Sequence, residues 1–98
     1  MLTRKYSQDG KTCLVTFSLP NQVNAKVAHL YGNFTEWEKS PKEMSPQEDA
    51  GFSIALSINA GHDYCFRYLL DGQRWENDWA ADAYVPNPFG TEDSVLKL

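Results

Sequence analysis

Apolar and polar residues alternate with a period of two along much of this chain, and the 3.6-residue repeat of an amphipathic helix is not evident. In residues 12–19, TCLVTFSL, Cys13, Val15, Phe17 and Leu19 fall on one face. In residues 52–58, FSIALSI, Phe52, Ile54, Leu56 and Ile58 face one way, and Ser53, Ala55 and Ser57 the other. Residues 63–70, DYCFRYLL, send Tyr64, Phe66, Tyr68 and Leu70 inward and leave Cys65, Arg67 and Leu69 opposite. Residues 26–31, KVAHLY, ending at Gly32, and residues 94–98, SVLKL, complete the predicted strands. Turn signals separate them: Pro20-Asn21, Asn59-Ala60-Gly61 and Asp71-Gly72. Asp71-Gly72 leads from an alternating run into Gln73-Arg74-Trp75, which predicts a hairpin with the glycine at positive φ. Residues 38–51 and 80–93 read as long irregular loops. Short strands at regular spacing without helices predict an all-β fold, an antiparallel β-sandwich.

The 98 residues suffice for a single domain spanning 1–98 with its own core. A net charge of −4, with acidic residues spread along the chain, leaves no basic footprint for nucleic acid or an anionic membrane. The opening MLTRKYSQDG lacks the apolar stretch of a secretory signal, and no run approaches the ~20 apolar residues of a membrane span. Cys13 and Cys65 lie far apart without C-x-x-C spacing. They read as two buried free thiols in a reducing cytoplasm, with a disulfide between strands as the alternative. Opening on Met1 and closing as the last strand completes, the sequence reads as that of a standalone protein.

Five phenylalanines, five tyrosines and three tryptophans are many for so short a chain. No tryptophan occupies an inward slot of an alternating strand. Trp37 follows the end of a strand, and Trp75 and Trp79 sit in DGQRWENDW, where almost every neighbour is polar. Trp79, beside Ala80 and Ala81, is expected to fold back as a loop anchor. Trp37 and Trp75 suit partial exposure, since loops and strand ends are where binding residues gather. A pyranose ring has a face of C–H bonds that stacks on indole and a rim of hydroxyls that needs donors and acceptors. Arg67, pointing away from the core in the strand that leads to this hairpin, offers a donor fork to adjacent hydroxyls.

Catalytic arrangements are harder to find. Glu76, Asp78 and Asp82 cluster near Trp75, but a sandwich this small has little room to enclose a scissile bond. These carboxylates are expected to be solvated, with aspartates capping local backbone N–H groups. His29 in a strand and His62 in a turn lack the partner spacing of a metal site or a triad. Gly32-Asn33-Phe34 is followed by no helix that would complete a phosphate loop. No enzyme, metal site or cofactor is predicted.

AHLYGNFTEW, then GFSIALSINAGHDYCFRYLLDGQRWEND, then NPFGTEDSVLKL resemble, in order, the early-set (isoamylase N-terminal-like) carbohydrate-binding modules of the family 48 type. These include the glycogen-binding domain of the AMP-activated kinase β subunit. The shared pattern is a strand into G-x-F-x-x-W, then G-F with alternating apolar residues, then G-x-x-Y-x-F-[KR] and D-G. A Trp with an Asp three residues later and G-x-x-[ND]-S-V before the last strand complete it. The resemblance runs from about residue 12 to the C-terminus. It implies an immunoglobulin-like sandwich that binds α-1,4-glucans such as glycogen or starch. It further implies Trp37 and Trp75 as stacking platforms, Arg67 in place of a lysine that bonds sugar hydroxyls, and Phe89 as an apolar side chain projecting into the glucan turn. Thr91 then keeps a polar contact, and Asp93 stands where the family has an Asn. Two departures stand out. Arg74 adds one residue between the D-G turn and Trp75, an insertion able to rotate the indole, and Asp93 replaces an amide donor with a negative charge.

These readings lead to a non-catalytic α-glucan-binding module with Trp37, Arg67, Trp75, Phe89, Thr91 and Asp93 as its contact residues. The alternative is a protein-interaction adaptor that works with a separate glucan-metabolising enzyme and binds sugar weakly or not at all. Exposure of the tryptophans beside Arg67 favours the first. An exposed apolar strand edge with buried tryptophans favours the second.

Overall fold

In the computed structural model, which describes residues 1–34, 40–49 and 51–98, each run of alternating sequence becomes a strand with its apolar face inward. The strands among the described residues are β1 (Leu2–Tyr6), β2 (Thr12–Leu19), β3 (Ala28–Gly32), β4 (Lys42–Glu43) and β5 (Ser45–Pro46). There follow β6 (Phe52–Asn59), β7 (Asp63–Leu70), β8 (Arg74–Glu76), β9 (Ala83–Pro86) and β10 (Glu92–Lys97). A single 3-10 turn at Asn21–Val23 is the one helical element among the described residues. No helix among them is long and apolar enough to cross a membrane.

Two antiparallel sheets pack face to face. The first has the order β1-β2-β6-β5, and the second β4-β3-β7-β10-β9, with β8 pairing with β7 beyond the end of β10. In immunoglobulin lettering these are A-B-E-D and C′-C-F-G, so the domain is an immunoglobulin-like antiparallel β-sandwich. Pairing of β2 with β6 runs in register from Thr12↔Asn59 to Leu19↔Phe52. It sets Val15 beside Leu56 and Phe17 beside Ile54 on the inner face. A slip of one residue would turn the whole set to solvent, which fixes the register. From the facing sheet, β7 contributes fully buried Phe66, Tyr68 and Leu70. The Phe17 and Phe66 rings meet edge-on across the core at 5.2 Å, a favoured aromatic geometry. At Gly32, the last residue of β3, no side chain fits: a Cβ there would lie 2.7 Å from the Phe34 ring and 2.9 Å from the Cys65 carbonyl oxygen.

The main departure from a plain immunoglobulin domain is the connection from β7 to β10. Residues 71–91 form two further strands instead of a short turn. The connection opens with the predicted hairpin. Asp71 (φ 54°) and Gly72 (φ 70°) form the turn, and Gln73 N–H donates to the Leu70 carbonyl at 3.1 Å. The Asp71 carboxylate accepts from the backbone N–H groups of Lys26 (2.8 Å) and Val27 (3.1 Å). These bonds, Lys26 first, hold its pKa below the ordinary value. They also explain why β3 starts at Ala28 and not at residue 26.

The sequence reading needs correction in three places. β1 was not anticipated, because LTRKY is short and highly charged. These charges suit a sheet edge, where they discourage pairing with another chain. The stretches read as irregular at 38–51 and 80–93 contain β4, β5 and β9. Met44, buried between β4 and β5, donates its N–H to the Ala28 carbonyl at 2.9 Å. β9 pairs with β10 from Pro86↔Glu92 to Ala83↔Val95, and β10 begins two residues earlier than 94. The strand character of β9 was hidden because its Tyr84 and Val85 are exposed.

The third correction concerns Asp78, expected in water but only 1% exposed. Its carboxylate accepts from the Tyr68 hydroxyl (2.7 Å), the Ala80 N–H (2.8 Å) and the Met1 nitrogen (2.6 Å). Its own N–H donates to Ser94 Oγ at 2.9 Å. Asp82 pairs with Arg4 and accepts from the Lys97 N–H at 2.7 Å, tying the edge of the first sheet to the second. Cys13 and Cys65 are both free thiols, the first buried in the core and the second half-buried on the outer face.

Burial and then the Asp78 carboxylate push the Tyr68 phenol well above its ordinary value of 10.0. With the folded pKa raised, its contribution to stability is intact below about pH 10 and declines as pH rises further, where unfolded tyrosine ionises and Tyr68 does not. Tyr68→Phe is expected to cost about 1–2 kcal/mol at pH 7. Urea unfolding at several pH values should also show a smaller loss above pH 10 for the variant than for the natural protein.

Candidate functional site

Because β7 turns Phe66, Tyr68 and Leu70 inward, strand geometry turns Cys65, Arg67 and Leu69 outward. Register brings their neighbours to the same face. Tyr31 of β3 lies opposite Arg67, and Trp75 of β8 lies opposite Leu69. Ser94 pairs with Phe66, so the next step of that ladder sets Asp93 across from Arg67, while Val85 of β9 flanks Asp93 on its other side. The turn at residues 87–91 rises beyond this row. Together they enclose an open cleft of about 590 Å³ lined by Arg67, Trp75, Asn87, Pro88, Phe89, Thr91 and Asp93. The volume lies within the range of small-ligand sites.

Trp75 is 40% exposed. It packs against the Tyr31 ring in a T-shaped contact, with centroids 5.0 Å apart and planes at 72°. The Arg67 guanidinium carbon lies 5.0 Å from the Trp75 ring centroid, a cation–π contact. The neighbouring Arg74 takes no part in this stack. Its own guanidinium reaches across to the Val23 carbonyl instead. Arg67 makes its cation–π contact without donating a hydrogen bond to any described residue, and its Nε is buried without a partner. A guanidinium held in place by stacking while its donors stay uncommitted is suited to receiving a ligand.

The opposite wall is a turn organised by one amide. The Asn87 side-chain oxygen accepts from the N–H groups of Phe89 (3.0 Å) and Thr91 (3.2 Å). Its side-chain nitrogen donates to Thr91 Oγ1 (2.8 Å) and Asp93 Oδ1 (3.1 Å). Gly90, at φ 82°, lets the chain reverse, and Asn87 N–H closes the turn on the Thr91 carbonyl at 2.9 Å. Phe89 at the tip is 86% exposed. A large apolar ring on an ordered turn beside a cleft is a candidate contact surface.

The cleft presents hydrogen-bond donors and acceptors beside aromatic rings. Among the described residues no group of three or more His, Cys, Asp or Glu side chains could hold a metal ion. Burial, then the charges of Asp93 and Asp63, push the Cys65 thiol up, away from the thiolate a nucleophile needs.

Five of the six residues expected at the site, Arg67, Trp75, Phe89, Thr91 and Asp93, gather on this cleft. Trp37 lies outside the described residues. Trp79 does not behave as the expected anchor: it is 56% exposed and its indole N–H donates to Glu76 at 3.3 Å. Sequence reasoning missed Tyr31, Asn87 and Pro88. Tyr31 could have been found as an outward residue of the alternating strand at 26–31. Asn87, within PNPFG, had the composition of a turn but no sign that its amide reaches two cleft residues. No protein-family model matches this chain, and no curated protein matches it.

Phe89 and Trp75 differ in how far the fold depends on them. Phe89→Ala should leave the unfolding free energy within about 0.5 kcal/mol of the natural value, as expected for a surface side chain without partners. Trp75→Ala, which loses the Tyr31 and Arg67 contacts, should cost about 1–2 kcal/mol. Urea denaturation of both variants checks the difference.

Proposed function

We propose that this domain is a non-catalytic module that binds α-glucan chains of the glycogen or starch type on the cleft between Trp75 and Phe89. The observation that carries the reading is the joining of exposed flat aromatics to hydrogen-bonding groups that the protein leaves available. Trp75 offers a face for the C–H side of a pyranose ring. The Arg67 donors and the Asp93 carboxylate suit the hydroxyl rim, to which Arg67 donates and from which Asp93 accepts hydrogen bonds. Phe89, standing at the far wall, makes the surface concave and favours a curved chain over the flat ribbon of a β-glucan.

The arrangement also sets the strength. Two aromatic contacts at about 0.5–1.5 kcal/mol each beyond buried area, with a few solvent-exposed hydrogen bonds, correspond to a Kd of roughly micromolar to millimolar. Binding of that order suits a polymer with many chain ends, on which several copies of a weak module act together. The two free thiols suit a reducing, cytoplasmic setting.

Tryptophan fluorescence titrated with maltoheptaose tests the reading, with cellohexaose as the flat-chain control. A saturable change with maltoheptaose alone, weakened at least tenfold by Arg67→Ala and abolished by Trp75→Ala, is the expected result. No change up to millimolar maltoheptaose in the folded natural protein, or an equal response to cellohexaose, would overturn it.

A further inference from the structure

We infer that Asn87 is a positioning residue of the cleft: its side-chain amide holds Asp93 toward the ligand and keeps it from pairing with Arg67. The inference rests on the proposal that this cleft binds a hydroxyl-rich ligand. It begins from the register of β7 and β10, which sets Arg67 and Asp93 on neighbouring positions of adjacent strands. Opposite charges so placed ordinarily pair. Here no ion pair joins them among the described residues. Arg67 lies against the Trp75 ring, while Asp93 Oδ1 accepts from Asn87 Nδ2 at 3.1 Å.

The Asn87 amide is suited to this work because its two ends act differently. The oxygen grips the turn through the Phe89 and Thr91 N–H groups, which fixes the turn against the strand. With the oxygen engaged, the nitrogen must point the other way, toward Thr91 Oγ1 and Asp93. Backbone anchoring therefore dictates the direction of the donor. The Asp93 carboxylate has a second oxygen that this contact leaves available for a sugar hydroxyl. Without Asn87, Asp93 would be drawn to the uncommitted guanidinium of Arg67, and the two groups would neutralise each other across the floor of the cleft. A ligand would then have to break an ion pair before binding.

Asn87→Asp separates aiming from anchoring. The substituted side chain keeps an oxygen for the Phe89 and Thr91 N–H groups but meets Asp93 with a second carboxylate where a donor stood. Like charges at that distance repel, so maltoheptaose affinity at pH 7.5 should fall roughly tenfold or more with little change in thermal stability. Lowering the pH until one proton is shared between the two carboxylates should restore a hydrogen bond and recover affinity, reversing the pH trend relative to the natural protein. Asn87→Asp combined with Asp93→Asn exchanges donor and acceptor and should bind more tightly at pH 7.5 than Asn87→Asp alone. A purely structural role for Asn87 predicts neither the recovery at low pH nor the rescue. If the natural protein binds maltoheptaose and Asn87→Asp binds it equally at both pH values, the positioning role is overturned while the glucan reading stands. If the natural protein does not bind, the glucan reading falls, and the role assigned to Asn87 falls with it. A folded Asn87→Asp whose weakened binding neither low pH nor Asp93→Asn restores would also overturn the role.

Discussion

The buried carboxylate of Asp78 holds the long β7–β10 connection against the sandwich, and the cleft depends on that attachment. A connection of this length, running over the surface, would ordinarily be the most variable part of an immunoglobulin-like domain. Here Asp78 draws it inward. Tyr68, Met1 and Ala80 donate to its carboxylate, and Ser94 accepts from its N–H. A charged group at such depth is tolerated only when its hydrogen-bonding capacity is met, which makes the position nearly unique. Strand β8, which carries Trp75, lies on one side of this anchor, and β9, which pairs with β10 beside Asp93, lies on the other.

One strand then serves both core and site. The inward residues of β7 form the centre of the core, and its outward Arg67, one residue from Phe66 and from Tyr68, forms the floor of the cleft. The site is built on rigid sheet on one side and on a turn braced by Asn87 on the other. On the proposed reading a glucan enters with little rearrangement, so weak individual contacts lose little to ordering.

Much of this was legible in the sequence. The alternation at 12–19, 52–58 and 63–70 defined the core strands and the faces of their residues, because burial on one side leaves a period of two. That pattern also sent Arg67 outward, and the polar surroundings of Trp75 marked it as poorly suited to a core. Strands β1 and β9 were hidden for a physical reason: edge strands bury less of their side chains, so charge and exposed aromatics obscure the alternation. Asp78 was misread for a related one. An aspartate between Asn and Trp, in a stretch that also holds Glu76 and Asp82, looks solvated until the distant donors of Tyr68 and Met1 are brought to it by the fold. Asn87 is the same kind of case, since its role depends on Asp93 arriving from the adjacent strand.

The central proposal is that this domain binds glucan, and does so on one face of the second sheet. Amide chemical shifts of the uniformly labelled protein, followed by NMR as maltoheptaose is added, test this most directly. The account predicts shifts concentrated at Arg67, Trp75, Phe89, Thr91 and Asp93, with the β2 and β6 amides of the opposite sheet unmoved. Shifts centred on β2 and β6, or a spectrum unchanged at saturating sugar, would contradict it.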